Sequence, residues 1–349
     1  MKIKNIKTIL FSCLILGLVY FALDFFYFEK GFDLKEKEDD KQTTLINSDE
    51  QEVGESSNNS EINLFFVGDI MLDRGVEINV DKYGNGDFRF PFLKIVDELK
   101  KSDILFGNLE GPISDKGIKV GSMYSFRFGP ETVDGLLYAG FDILSLANNH
   151  MLDYQRIALE DTMNILEKNG IDYIGAGFNK EETFSLRVKE IAETKIGFLA
   201  YTDLGPENWR AGDGYAGMSW IGQEGINEVN EKVKESKKIV DILVVSLHSG
   251  KEYSQDPTLF QIFFAESCIN NGADLVIGHH PHVVQKVEKY NDGWIAYSLG
   301  NFVFDQSFSE ETMESVILKV KVKNKKIQEI FSEKLKINEY SQPELISDN

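Results

Sequence analysis

The chain is short of cysteine and of positive charge. Its two cysteines, Cys13 and Cys268, are too few for a disulfide scaffold or a thiolate zinc site. Lysine and arginine number 37 against 57 aspartates and glutamates, a formal charge of −20. Nucleic-acid binding through phosphate neutralisation needs the opposite sign, so no nucleic-acid partner is expected. A surface of this charge repels polyanions unless a bound cation reverses the local field. The sequence shows no internal repeat and no run of closely spaced oxygen ligands of the EF-hand kind. Its 349 residues, 42% of them hydrophobic, are enough for one large domain or two ordinary ones, and the composition excludes a fully disordered or collagen-like chain.

One long hydrophobic run stands near the start. Thr8 to Phe28 is 21 residues with Asp24 as its only charge, preceded by Lys2, Lys4 and Lys7. At about 1.5 Å of rise per residue it spans a hydrocarbon core of about 30 Å. Lysines before it and acids after it place residues 1–7 in the cytoplasm and the bulk of the chain outside, on a single-pass anchor at 8–28 in the cell membrane. A cleaved signal peptide is the alternative, but no small-x-small pattern follows the run, and Phe25, Phe26, Tyr27 and Phe28 crowd the place where cleavage would fall. Residues 29–61 hold eleven acids and four lysines and read as a self-repelling tether. Residues 338–349 read as a polar tail, which leaves a folded domain over 62–337.

Within that domain short apolar runs alternate with helical spacing. Ile62–Val67, Ile104–Gly107, Phe141–Ala147, Ile196–Tyr201, Ile242–Leu247 and Leu275–Ile277 read as buried strands. Pro91–Lys101, Pro130–Ala139, Ile157–Asn169, Gly225–Lys238 and Pro257–Asn271 read as helices. The alternation predicts an α/β fold. Strand-rich stretches from Val283 to Leu335 predict a second sheet packed on the first.

Polar residues follow the predicted strands: Asp69, then Asn108 and Glu110, then Asn148, Asn149 and His150, then His248, then His279, His280 and His282. In open α/β sheets this carboxyl edge forms the ligand crevice. All five histidines of the chain lie in these segments. A single histidine after a strand is ordinarily a hydrogen-bonded loop residue; five, delivered with carboxylates and an asparagine, point to a metal centre. Imidazole and carboxylate suit zinc, iron or manganese. The set exceeds what one four-coordinate ion needs, which points to two divalent ions.

Six segments in this order resemble the bacterial capsule-synthesis family, the CapA or poly-γ-glutamate biosynthesis type, which is itself similar to calcineurin-like metallophosphoesterases. They are Val67–Arg74, Gly107–Glu110, Ala147–His150, Ser246–Tyr253, Gly278–Val283 and Tyr297–Gln306. The resemblance implies a metallo-dependent phosphatase-like domain, a four-layer αββα sandwich with the site at its strand ends. It implies that Glu110 bridges two ions, that Asn149, His248 and His280 complete one, and that Asp69 and His282 hold the other. His150 would be the general acid or orient the reacting group. His279 would stand behind the ligands. Lys251 and Arg74 would neutralise an anionic substrate, against the plainer reading of solvated surface charges. Asn301 would serve the site or simply form a turn after Gly300. Asp153, Glu252, Asp305 and Gln306 would hydrogen-bond to the ligands.

The expected reaction is hydrolysis of a phosphoester in the cell envelope. The other implied reading is a non-catalytic accessory of a capsular polymer synthesis complex, partnered with other membrane subunits, whose metal site is structural or binds the carboxylates of an anionic polymer. His150 favours the first. Met71 favours the second, because it stands where the phosphoesterases have the histidine of an Asp-x-His pattern, and a thioether is a poor ligand for a hard ion. Asp73 is the nearest substitute donor, unless it pairs with Arg74. Ser249 also departs from the family, which has a bulky aromatic there.

Overall fold

The computed structural model describes residues 60–222 and 225–346. The expected anchor at 8–28 and the tether up to residue 59 lie outside the described residues. Among those described, no helix is long and apolar enough to cross a membrane.

The chain begins as β1 (Ile62–Ile70), passes through α1 (Arg74–Gly84) and the short α2 (Val96–Leu99) to β2 (Ile104–Leu109), and through α3 (Val133–Ala139) to β3 (Ile143–Ser145). Then α4 (Gln155–Lys168) leads to β4 (Asp172–Ile174), β5 (Ala176–Gly177), α5 (Lys180–Thr183), β6 (Arg187–Ile191), β7 (Thr194–Thr202) and β8 (Gly217–Met218). Two more helix–strand units follow, α6 (Ile226–Lys237) with β9 (Ile242–His248) and α7 (Leu259–Asn270) with β10 (Leu275–His279). The chain closes with β11 (Val287–Tyr290), β12 (Gly293–Ala296), β13 (Asn301–Val303), β14 (Glu314–Lys323), β15 (Lys326–Ile337) and β16 (Pro343–Leu345).

These strands form two main sheets. One runs β16-β15-β14-β1-β2-β3-β4, with β13 added parallel to the end of β1; the other runs β11-β12-β10-β9-β7-β6. Alternate side chains of a strand face opposite ways, so each sheet fills two cores. Leu64 and Phe66 of β1 and Phe106 of β2 meet Phe198 of β7 and Val244 of β9 between the sheets, where the rings of Phe106 and Phe198 stack at 6.1 Å. Phe65 and Val67 face the other way, onto Val76 and Val80 of α1 and Leu159 and Met163 of α4. On the far side, Leu243 and Val245 of β9 pack under Val229 and Val233 of α6 and Phe264 and Cys268 of α7. The result is four layers, helices outside two sheets.

The division of strands differs from the expectation. The late strands do not make a second sheet of their own. β14 pairs antiparallel with β1, from Ile62 opposite Val322 to Phe66 opposite Leu318, and extends the first sheet. The second sheet is centred instead on β7, β9 and β10, from the middle of the chain. The helix expected at Pro91–Lys101 is broken into a single tight turn at Phe90–Phe92 and α2, with Ile95 at φ −125° between them. The unexpected α1 starts where Asp73 caps it and turns only Val76 and Val80 inward, too sparse an apolar stripe to read from spacing. The tail is partly sheet: Asn338 accepts the amides of Tyr340 and Gln342, and the turn delivers β16 to β15.

Candidate metal centre

The parallel ladders set the site. Asp69 pairs in register with Asn108 of β2 on one side and Asn301 of β13 on the other, at a register shift in β1. In the facing sheet His279, the last residue of β10, pairs with His248, the last residue of β9. The carboxyl ends of both sheets therefore present polar side chains to one buried space.

Asp69 and Glu110 are fully buried there. Asn108 Nδ2 donates to Asp69 Oδ1 at 2.8 Å and stands 3.4 Å from Glu110 Oε2. Asn148 holds that asparagine in place by donating to its Oδ1 at 3.1 Å. The His280 backbone amide donates to Asp69 Oδ2 at 3.2 Å. Burial raises the Asp69 pKa, but the imidazoles of His279 and His282 more than offset it and hold the carboxyl well below its ordinary value. Glu110 goes the other way. Burial, then the charge of Asp69, push it well above the carboxylate range, and its Oε1 has no hydrogen-bond partner.

The histidines differ in what their nitrogens do. His282 Nδ1 lies 3.0 Å from Asn301 Oδ1, and that amide is oriented by donating its own Nδ2 protons to Thr312 O and Gln306 Oε1. Nδ1 of His282 therefore carries the proton, and Nε2 keeps its lone pair, 3.7 Å from Glu110 Oε1. His248 is held by two asparagines, with Nε2 2.7 Å from Asn149 Oδ1 and Nδ1 3.3 Å from Asn108 Nδ2. Burial, then the neighbouring His280, push the His248 pKa well below its ordinary value. The same two kinds of cause, burial and the charge of His282, bring His280 down to about 3, and its Nδ1 is buried without a partner. His279 Nδ1 is 3.3 Å from Asp69 Oδ1, without the alignment of a hydrogen bond.

The backbone here is strained. His280 and His282, on either side of Pro281, have φ of 97° and 58°. Left-handed backbone at a residue with a Cβ costs on the order of 1–3 kcal/mol, and surrounding contacts must hold it. The amide of Tyr253 donates to Pro281 O at 2.8 Å and is one such contact.

His150 stands at the mouth of this space. Its Nδ1 is 2.7 Å from Asp153 Oδ2 and its Nε2 is 3.8 Å from Glu110 Oε1, while the ring of Phe126 packs on it at 4.1 Å. A cleft of about 690 Å³ opens here, with Asn149, His150, Asp153, Glu252 and His280 at its base. Among the described residues that line it there is no lysine or arginine.

The structure thus gathers Asp69, Glu110, Asn149, His150, His248, His279, His280 and His282, with Asp153 and Asn301 orienting His150 and His282. Glu252 is exposed, yet it offers an oxygen to a group with His280 and His282 whose atoms all lie within 4.8 Å of one another. Asp69, Glu110 and His282 make a second such group. Other expected residues stand apart. Asp73 caps α1, with one oxygen accepting the Arg74 amide and the other the Arg127 amide. Arg74 is tied to Asp305, through Nε to Oδ2 at 3.1 Å and a second contact from its terminal nitrogen, and lies over the Phe126 ring. Lys251 is exposed and does not line the cleft. Met71 is buried in the outer core, its sulfur 3.2 Å from the Asp73 amide. Asn108 and Asn148 lie within the sequence motifs, but no role for either follows from the motifs alone. The signal for Asn108 was strand alternation, which turns it to the same side as Glu110.

The donor set fits divalent metal. Two carboxylates, one with an orphaned oxygen, and two histidines with free or unpartnered nitrogens converge in a buried space, and mixed oxygen and nitrogen donors suit manganese, iron or zinc. Fold and site together define an α/β protein with a candidate divalent-metal centre at its strand ends. Residues 63–306 match the family model of the bacterial capsule synthesis protein PGA_cap. The chain is 33% identical over 271 residues to the capsule biosynthesis protein CapA of Bacillus anthracis, covering 74% of this chain and 64% of that protein. It is also 33% identical over 261 residues to the PGA biosynthesis protein CapA of Bacillus subtilis, covering 74% and 67%. The match therefore spans about two thirds of the length of these relatives. A solved phosphatase structure from Mycoplasma pneumoniae is similar at a TM-score of 0.49 and 13% identity, covering 79% of this chain and 94% of that one. The chain belongs to the bacterial capsule synthesis protein family.

Proposed function

We propose that this protein is a metal-dependent phosphoester hydrolase of the cell envelope, anchored by residues 8–28 with its folded domain outside the membrane, where it serves capsular polymer production alongside other membrane subunits. Asp69, Glu110 and Nε2 of His282 would hold one cation and His280 with Glu252 a second, with His248 and Asn149 beside them. Bound divalent cations supply Lewis acidity toward a phosphoryl oxygen and lower the pKa of a nucleophilic water. The protein supplies the rest. Asn301 fixes the proton of His282 on Nδ1, Asn108 positions both carboxylates, and Asp153 fixes the proton of His150 on Nδ1 so that Nε2 is the atom that gives or takes a proton.

The observation that carries this reading is the placing of His150. A purely structural metal centre has no use for an aspartate-oriented imidazole whose free nitrogen faces Glu110 from the cleft. The test is elemental analysis of the purified protein together with release of an aryl phosphate in Mn²⁺, for the parent, His150→Ala and His280→Ala. Loss of turnover with metal retained in His150→Ala, and loss of both in His280→Ala, support it. Metal bound without turnover in the parent supports the other reading, a non-catalytic accessory whose centre is structural or binds polymer carboxylates. The buried sulfur of Met71, which leaves the first segment one donor short, favours that second reading.

A further inference from the structure

The cleft has two unlike surfaces. Its base is the imidazole and carboxylate cluster. Its wall is apolar, with Val120, Met123 and Tyr124 from one loop and Leu204, Pro206 and Trp209 from another. Met123 is 86% exposed and Tyr124 60%. Single exposed hydrophobics are ordinary on a surface, but a set that lines the approach to a polar cluster is the usual build of a ligand site.

Several contacts hold this wall in shape. The Val120 amide donates to Asp153 O at 2.9 Å, and Arg156 bonds the carbonyls of Asn208 and Ala216. Trp220 Nε1 donates to Gly205 O at 3.1 Å. The Trp209 ring lies against Gly205, where an added Cβ would come 2.9 Å from the indole.

Charge narrows the occupant. The wall offers an anionic group no basic side chain, because Arg74 is committed to Asp305 and Lys251 does not line the cleft. Any cations at the base are matched to the phosphate. We propose that the phosphoester taken by this site carries an apolar chain, which lies along the wall between Met123, Tyr124 and Trp209 while its phosphate rests on the base. This rests on the phosphoester reading above and makes a carboxylate polymer the disfavoured occupant.

The test uses full-length protein with Mn²⁺ and a series of ethyl, butyl, hexyl and octyl phosphates, below their micelle concentrations, with an ω-carboxyheptyl phosphate as the charged control. Each methylene buried contributes a factor of about 4 at most, so kcat/KM is expected to rise about tenfold or more from ethyl to octyl even if the chain is only partly covered. The terminal carboxylate should cancel most of that gain, and Met123→Ser and Trp209→Ser should each reduce the octyl-to-ethyl ratio. A ratio near one in the parent, or an unchanged ratio in both variants, overturns the proposal. If no ester is turned over, the hydrolase reading fails separately, and calorimetric titration decides this one. Octyl phosphate binding about tenfold more tightly than ethyl phosphate supports the apolar wall, and equal or absent binding overturns it.

Discussion

Asp153 Oδ2 lies 2.7 Å from His150 Nδ1 and also accepts the Phe126 amide at 3.0 Å. One buried carboxylate therefore fixes both the tautomer of the cleft imidazole and the exit of the chain from the loop that carries Met123 and Tyr124. Asp153→Asn can turn its NH₂ toward Nδ1 and move the proton to Nε2. Turnover of an aryl phosphate is expected to fall about 100-fold, the scale of a positioned acid or base. Bound metal, measured by elemental analysis, should be unchanged, because Asp153 makes no contact with Asp69 or His282. A parallel loss of metal would show that Asp153 acts on the ligands instead.

Glu110 and Asp69 are two buried acids side by side, and Glu110 is raised far above its ordinary pKa by that arrangement. Without a cation the pair is destabilising at neutral pH. Glu110→Gln should therefore raise the Tm of EDTA-treated protein above that of the parent. In saturating Mn²⁺ the order should reverse, since a ligand at about 100 times its Kd adds about 2.7 kcal/mol to the parent alone. Differential scanning calorimetry of both proteins in both conditions reads the crossing. A variant less stable than the parent in EDTA would refute the argument.

Much of this site could be read along the strands. Alternation and strand ends are local features, and they were enough to list Asp69, Glu110, His280 and His282, which the structure brings to one place. Sheet membership is not local. β14 joins β1 through pairing across some 250 residues, so the later strands could not be assigned to the first sheet from their own pattern. The resemblance implies Asn149 and His248 as ligands of one ion; that their side chains lie 2.7 Å from each other is a tertiary contact no local pattern announces. Nor does composition reveal that His280 and His282 occupy left-handed backbone, because histidine carries no such preference strongly enough to announce it. The apolar wall from Leu204 to Trp209 belongs to a connecting segment without periodicity, and only tertiary structure sets it against Met123.

His280 and His248 are buried in the neutral form, His280 at a pKa of about 3 against an unfolded value of 6.5. When the folded value is the lower one, the stability contribution is complete above pH 6.5 and is lost as pH falls toward the folded pKa, because the unfolded chain takes up the proton first. Each such group changes stability by up to about 1.4 kcal/mol per pH unit within that window. Glu110, shifted upward, works in the opposite sense over part of the same range. The difference between the parent and His280→Gln isolates the one group: from pH 7 to pH 5 in EDTA, the Tm of the parent should fall more than that of the variant. Equal slopes would mean that His280 titrates freely in the folded protein.

Two glycines, one in each sheet, immediately precede site residues and are fixed by close approach of backbone. A Cβ on Gly68, before Asp69, would lie 1.9 Å from Gly300 O, and one on Gly278, before His279, would lie 1.9 Å from Tyr297 O. Neither carbonyl can swing aside as a flexible side chain could, since Gly300 O accepts the Asp69 amide and Tyr297 O accepts from Gln261 Nε2 at 3.3 Å. Gly68→Ala must push β13 away from β1 and carry Asn301 away from His282 Nδ1. We expect a loss of about 3 kcal/mol or more in urea unfolding, the upper range of single substitutions and the signature of strain at a close contact. Ala on Gly278 should cost a similar amount but leave the Asn301–His282 pair in place. Of the two variants, only Gly68→Ala should then show weakened metal binding in the fraction that remains folded, measured by equilibrium dialysis against Mn²⁺. Equal affinities in the two would separate the packing of β13 from the orientation of His282 and remove Asn301 from the machinery of the site.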